Sequence, residues 1–214
     1  MLLDKDTIHL DEITVYFWKI EETRKELVDL CNKVGVDVSH TTEIKSTQRA
    51  CEKLATLLTI ALTLGNKTKL CHTDEGAPFI KNSKMHISIS HSAHMVAVAF
   101  SPNPIGIDIE HKAEQVLRVR EKFLNNRELA LIGNKDKDIN LMFWTAKEAV
   151  YKVHSRKGID FKNDIYQDTR VKSVFRATDG QKKVPYKVEH YQYDEKFMIA
   201  IATPKIVKSK NNNI

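Results

Sequence analysis

Cysteine is scarce in this chain, and its placement rules out the usual cross-links. Cys31, Cys51 and Cys71 are odd in number, far apart and without histidines at metal-binding spacing. That argues against a disulfide framework or a zinc site, and a reducing cytoplasm is the compartment that fits. Their even spacing has no echo in the flanking residues and is treated as chance. Long apolar runs are also missing: no stretch approaches the roughly 18–20 consecutive apolar residues of a membrane span. Met1 to Asp11 carries early acids and no long apolar run, unlike a secretory signal. A G-x-S-x-G elbow is absent too, which leaves the Ser90-His91 pair without the usual setting of a hydrolase nucleophile.

What the chain does contain is ordinary soluble-protein chemistry, with 42% apolar and 29% charged residues over 214 positions. That length allows one large domain or two small ones. The net charge of +6 is uneven. Residues 1–103 hold 12 Lys/Arg against 13 Asp/Glu, whereas residues 104–214 hold 22 against 15. A basic half suits a polyanionic partner: nucleic acid, a phosphorylated cofactor or an acidic protein. Nucleic-acid binding predicts basic residues interleaved with exposed aromatics, or a recognised motif. The lysines here are dispersed and the aromatics fall in core patterns, so no nucleic-acid partner is expected.

Periodicity divides the chain near Ser101-Pro102-Asn103-Pro104, where two prolines exclude both helix and central strand. The expected units are residues 1–102, residues 103–205, and a disordered basic tail over 206–214. In the first unit, Ile13–Ile20 reads as a strand. Glu21–Val34 and Thr47–Leu64 read as helices stopped by Gly35 and Gly65. Met85, Ile87 and Ile89 alternate with polar residues as a half-buried strand, followed by the apolar strand Met95–Phe100. In the second, Ile105, Ile107 and Ile109 alternate with Gly106, Asp108 and Glu110. Helical stripes follow at 113–124 and 141–151, with an Asn125/Glu128 capping box between them. Strands are predicted near 170–178, 184–193 and 197–203. Met95-Val-Ala-Val-Ala-Phe-Ser-Pro102 is echoed by Met198-Ile-Ala-Ile-Ala-Thr-Pro204. The fold class expected is therefore a pseudo-duplicated α+β protein, with a ligand in the cleft between its halves.

Three segments carry candidate chemistry. Strand alternation points Asp108 and Glu110 the same way, about 6–7 Å apart and away from the isoleucine face. Adjacent carboxylates repel unless a cation or basic group lies between them, and hard oxygen ligands suit Mg²⁺ beside phosphate. The plain alternative is an acidic, solvated strand face. On the helix, spacings of three and four align Trp144, Glu148 and Lys152, with Lys147 beside them. Glu148 could add a third carboxylate and Lys152 could meet a phosphate, or the two could form an ordinary surface pair. Ser90-His91-Ser92 ends a strand in polar groups able to hold phosphate, though such a dipeptide also suits a simple turn.

Taken in order, the Gly76-Ala77-Pro78 turn, I-S-H-S at 89–92, G-I-D-I-E at 106–110, W-x-x-K-E-A-x-x-K at 144–152 and the Lys157-Gly158-Ile159 stop resemble one family. They are similar to the 4′-phosphopantetheinyl transferases of the surfactin-synthetase-activating type. The resemblance implies two similar α/β lobes, each with a small, mainly antiparallel sheet and packed helices. It implies transfer of the phosphopantetheine arm of coenzyme A to a serine of an acyl or peptidyl carrier protein, releasing 3′,5′-ADP. Asp108, Glu110 and Glu148 would hold one Mg²⁺. Glu148 would also act as general base, and Lys152 would neutralise the pyrophosphate and assist the departing group. Ser90 and His91 would contact coenzyme A phosphates, with Lys147 near the pyrophosphate. Gly76, Ala77 and Pro78 would form the adenine-side turn, where the family often has lysine in place of Ala77. Arg49 or Lys45 would then supply the missing charge. Carrier proteins are acidic helical bundles, so Arg118, Arg120, Lys122 and Arg127 would form a docking patch. A monomer is expected because the cleft is built within one chain. A metal-dependent phosphohydrolase and a basic nucleic-acid-binding protein are the alternatives.

Overall fold

The computed structural model describes residues 7–111, 115–133, 136–155 and 158–205. The expected tail and Lys157 lie outside them. Strands β1 (Thr7–Leu10) and β2 (Ile13–Lys19) form a hairpin, followed by helices α1 (Arg24–Val34) and α2 (Thr47–Leu64). Helix α1 starts at a Thr23/Glu26 capping box and stops at left-handed Gly35. The α2 start is held by the Ser46 hydroxyl, which accepts the Arg49 N–H. A small hairpin of β3 (Leu70–His72) and β4 (Pro78–Ile80) leads into β5 (His86–Ser92) and β6 (Met95–Ser101). Past the two prolines come β7 (Gly106–His111), α3 (Gln115–Phe123), α4 (Asn126–Ile132) and α5 (Lys137–His154). The described chain ends in β8 (Ile165–Gln167), β9 (Val174–Asp179), β10 (Lys182–Tyr193) and β11 (Phe197–Pro204). No helix among the described residues is long and apolar enough to cross a membrane.

The fold is α+β, with antiparallel sheets ordered β1-β2-β6-β5 and β7-β11-β10-β9-β8. Side-chain alternation gives each large sheet two buried faces. On β6, Val96, Val98 and Phe100 pack towards Leu27 of α1 and Leu54 and Leu58 of α2. Its other residues, Met95, Ala97 and Ala99, pack with Ile107 and Ile109 of β7 and Ile199 and Ile201 of β11. The opposite face of β11, with Met198, Ala200 and Ala202, packs with Ala146, Ala149 and Val150 of α5. The order of layers is thus helices, sheet, sheet, helix.

This layering corrects one sequence expectation. The polar face of β5 does not meet solvent: Ser88 and Ser90 are buried beside β7. The Ser88 hydroxyl accepts the Ile107 N–H at 3.0 Å, Ser90 that of Ile109 at 3.3 Å, and Ser92 that of His111 at 3.1 Å. Edge N–H groups that have no strand neighbour are satisfied by side chains instead.

On the helix side of β7, Gly106 sets how closely α5 can approach. A Cβ there would fall on the carbonyl oxygen of Ala149 and 2.9 Å from the backbone nitrogen of Val153. Neither backbone atom can move without shifting the helix. Gly106→Ala is therefore expected to destabilise the protein by about 3 kcal/mol or more, the upper range for overpacking. Urea denaturation checks this; an unchanged midpoint would show that α5 can retreat freely.

Candidate functional site

Asp108 and Glu110 leave β7 on the face opposite the isoleucines and point towards α5, where Asp108 is buried. The Ser90 hydroxyl donates to Asp108 Oδ1 at 2.9 Å, and the Lys152 ammonium donates to the same oxygen at 2.8 Å. Lys152 also donates to the Ile107 carbonyl at 2.9 Å. Glu110 is gripped at both ends, by Trp144 Nε1–H on Oε1 at 3.1 Å and by the Ser92 hydroxyl on Oε2 at 2.9 Å. Burial and the neighbouring Asp108 charge raise the Glu110 pKa, and its bonds to Trp144 and Ser92 oppose the rise.

Helix α5 brings Trp144, Glu148 and Lys152 to this place on successive turns. Asp136 caps its start by accepting the N–H groups of Asp138 and Ile139. Burial, followed by repulsion from Asp108, pushes the Glu148 carboxyl up to about 7. The Lys152 charge acts against this and Glu110 adds to it.

Lys147 does not stand with this group, which corrects the expectation of a pyrophosphate contact. Its side chain is fully buried, and its ammonium donates to the Phe123 carbonyl (2.6 Å), the Phe161 carbonyl (2.9 Å) and Glu128 Oε2 (2.7 Å). All three donors are used. Glu128 meanwhile completes the α4 capping box with Asn125 and accepts the Gln167 N–H. Losing either partner of such a buried pair costs about 3–5 kcal/mol. The result is a structural knot rather than a ligand contact.

The other expected residues are dispersed. The Ser90 hydroxyl is spent on Asp108 and the Ile109 N–H, so it faces the carboxylates rather than an open cavity. His91 is half exposed and lies 3.3 Å from buried Glu52 on α2. Gly76, Ala77, Pro78 and Lys152 line a cavity of about 660 Å³, walled also by β5, Pro104, Ile105 and the end of α5. Arg49 and Lys45 are exposed and outside that lining. Lys84, which the sequence reading passed over, lies on the cavity wall with His86. A second hollow of about 290 Å³, lined by Val116, Val119, Leu141 and Trp144, adjoins Glu110. Arg118 and Lys122 are exposed on α3, whereas Arg127 donates to the Gln167 carbonyl at 3.3 Å.

Among the described residues, no three His, Cys, Asp or Glu side chains are gathered as a ready metal site. Ammonium, indole and hydroxyl donors already occupy oxygens of Asp108 and Glu110. The donor set nonetheless fits a hard divalent cation. Asp108 Oδ2 is buried with no hydrogen-bond partner, a costly state for a carboxylate oxygen. Glu110 and Glu148 both carry displaced acidities beside it. All three offer only oxygen, as Mg²⁺ requires.

Residues 104–202 match the model of the 4′-phosphopantetheinyl transferase superfamily. The 4′-phosphopantetheinyl transferase Sfp of Bacillus subtilis (strain 168) is 30% identical over 127 residues, 54% of each chain. The enzyme ffp of Bacillus subtilis is 29% identical over 131 residues, 56% of this chain and 55% of its own. The enzyme gsp of Aneurinibacillus migulanus is 33% identical over 96 residues, 42% of this chain and 40% of its own. The chain spans about half the length of the curated relatives it matches.

The raised Glu148 pKa has a consequence for stability. In metal-free protein the folded state binds this proton more tightly than the unfolded chain, whose carboxyl titrates near 4.5. The contribution is therefore fully favourable below that value and is lost as pH rises towards about 7. Between about pH 5 and pH 8, wild type should lose about 2 kcal/mol relative to Glu148→Gln, allowing for residual solvent contact. Parallel urea profiles for the two proteins in EDTA would contradict the buried, crowded carboxyl.

Proposed function

We propose that this chain, whose residues 104–202 match the 4′-phosphopantetheinyl transferase superfamily and which resembles the Sfp enzyme over about half its length, carries out a Mg²⁺-dependent transfer reaction. The 4′-phosphopantetheine arm of coenzyme A passes to a serine of an acyl or peptidyl carrier protein, and 3′,5′-ADP leaves. One observation carries the reading: Lys152, on the wall of a cavity large enough for an extended nucleotide, bonds to Asp108, whose charge also acts on Glu110 and Glu148.

Asp108, Glu110 and Glu148 would hold the cation, which when bound supplies Lewis-acid charge to the pyrophosphate. Glu148 takes the proton from the carrier serine hydroxyl. The ionised, proton-accepting form of this carboxyl would be favoured by the bound cation. The serine oxygen bonds to the phosphorus of the arm as the bond from that phosphorus to 3′,5′-ADP breaks. Lys152, on the cavity wall, offsets charge on the leaving group. Little covalent catalysis is needed, because phosphoryl transfer depends on positioning and charge neutralisation. Lys84 stands where a phosphate-binding cation is wanted, given that Ala77 offers none. His91, beside Glu52, and the 76–78 turn complete the coenzyme side of this reading.

The halves 1–102 and 103–205 are read as two similar lobes with the coenzyme between them, acting as a cytoplasmic monomer. Exposed Arg118 and Lys122, with Arg120 on the same helix, form the docking patch for the acidic carrier.

Incubation with apo-carrier protein, coenzyme A and Mg²⁺ should add the mass of one phosphopantetheine arm to the carrier. Glu148→Gln should reduce the rate by about 10²–10⁴, as for loss of a general base. No mass gain with several carriers, alongside phosphate release or DNA retention, would replace transfer by one of the alternatives. Reversing charge at Arg118 and Arg120 should raise KM for the carrier several-fold and leave KM for coenzyme A nearly unchanged. Equal effects on both would remove the docking patch.

A further inference from the structure

We propose that Ser90 and Ser92 are positioning residues, whose hydroxyls fix the carboxylate oxygens that Asp108 and Glu110 present to the reaction centre. The inference rests on the metal-dependent reading given above.

A serine hydroxyl has one proton to donate and two lone pairs to accept with. On β5 both capacities are used in register with β7. Ser90 accepts the Ile109 N–H and donates to the side chain of the preceding residue, Asp108. Ser92 accepts the His111 N–H and donates to the side chain of the preceding residue, Glu110. Each hydroxyl is thereby anchored to backbone before it touches a carboxylate, so its proton is delivered in a fixed direction.

The consequence differs for the two acids. On Asp108, Ser90 and Lys152 share Oδ1, and the buried Oδ2 is left bare. Without the Ser90 proton the carboxylate could turn about its own axis and offer Lys152 either oxygen. On Glu110, Ser92 and Trp144 hold opposite oxygens and so fix the plane of the group. Ile87 and Ile89 on the other face anchor β5 against the helices, which keeps the serines in register.

The chain contains its own control. Ser88 makes the same backbone contact, accepting the Ile107 N–H. The residue preceding Ile107 is Gly106, which has no side chain to orient. Ser88 thus shares the edge-capping task without the orienting one.

The test titrates metal alone. Mn²⁺ binding, without coenzyme, is followed by the electron paramagnetic resonance of the free ion for wild type and for Ser88→Ala, Ser90→Ala, Ser92→Ala and Ser92→Thr. Loss of an outer-shell orienting group typically weakens metal binding about 10–100-fold, so Ser90→Ala and Ser92→Ala should each weaken Mn²⁺ by at least about tenfold and Ser88→Ala by less than about twofold. Ser92→Thr, which keeps the hydroxyl, should restore wild-type affinity. Circular dichroism reports folding; if Ser90→Ala does not fold, the Ser92 pair decides. Equal losses in all three alanine variants would reduce the serines to edge caps and overturn the proposal. So would wild-type affinity in Ser90→Ala and Ser92→Ala. A wild-type protein that binds no Mn²⁺ would overturn the metal reading along with it, and that result is distinct from the other two.

Discussion

Three carboxylates crowded against a helix in a poorly hydrated place repel one another, and the site's construction answers that constraint. Asp108 and Glu110 come from one strand face, and Glu148 meets them from α5. The Lys152 ammonium, the Trp144 indole and two serine hydroxyls divide the negative charge among them. Burial first, and then the Asp108 charge that these donors leave uncompensated, push the Glu148 carboxyl up to about 7. A cation entering beside Asp108 Oδ2 would relieve the same stress more fully than a proton does. Repulsion in the metal-free protein and the proposed affinity for a divalent ion would therefore be two aspects of one arrangement.

Such an arrangement holds only if α5 cannot drift from β7. Two features far apart in sequence prevent it. Gly106 removes the side chain that would stand between strand and helix, letting backbone approach backbone. Lys147 ties the opposite face of α5 to Phe123, Glu128 and Phe161. The aromatic rings of Phe123 and Phe161 then pack on the Trp144 ring, edge-on at 5.1 Å and stacked at 5.9 Å. The ammonium fixes the backbone of the residues that clamp Trp144, and Trp144 in turn holds Glu110. A buried ion pair contributes little net stability by itself; here it fixes the register of a helix that carries the site.

The alternation of Ile107 and Ile109 with Asp108 and Glu110, and the three- and four-residue steps to Glu148 and Lys152, were legible because they are local. The Asn125/Glu128 capping box was legible for the same reason. The three-residue strands β3, β4 and β8, and four-residue β1, were not, since each is too short to show a period. Lys147 carries a local signal of its buried place. It shares a helix face with buried Phe143 and Val150, at four residues before and three after, so its stem was bound to enter the core. Glu128 showed its capping role in sequence but not its ion pair, which depends on where α5 packs. The serine face of β5 looked solvent-facing because no local pattern reveals that a second sheet lies against it.

That second sheet bears on where the functional unit begins. The superfamily match spans residues 104–202, and that stretch supplies all three carboxylates and Lys152. It does not supply the hydroxyls that aim two of them, nor the wall of the cavity formed by residues 75–89. With Ser88, Ser90 and Ser92 removed, the β7 N–H groups of Ile107, Ile109 and His111 would become an open strand edge. Asp108 would then keep Lys152 as its remaining bonded partner. The acids belong to one half of the chain and their aim to the other, so the match marks the chemistry while the geometry needs both sheets.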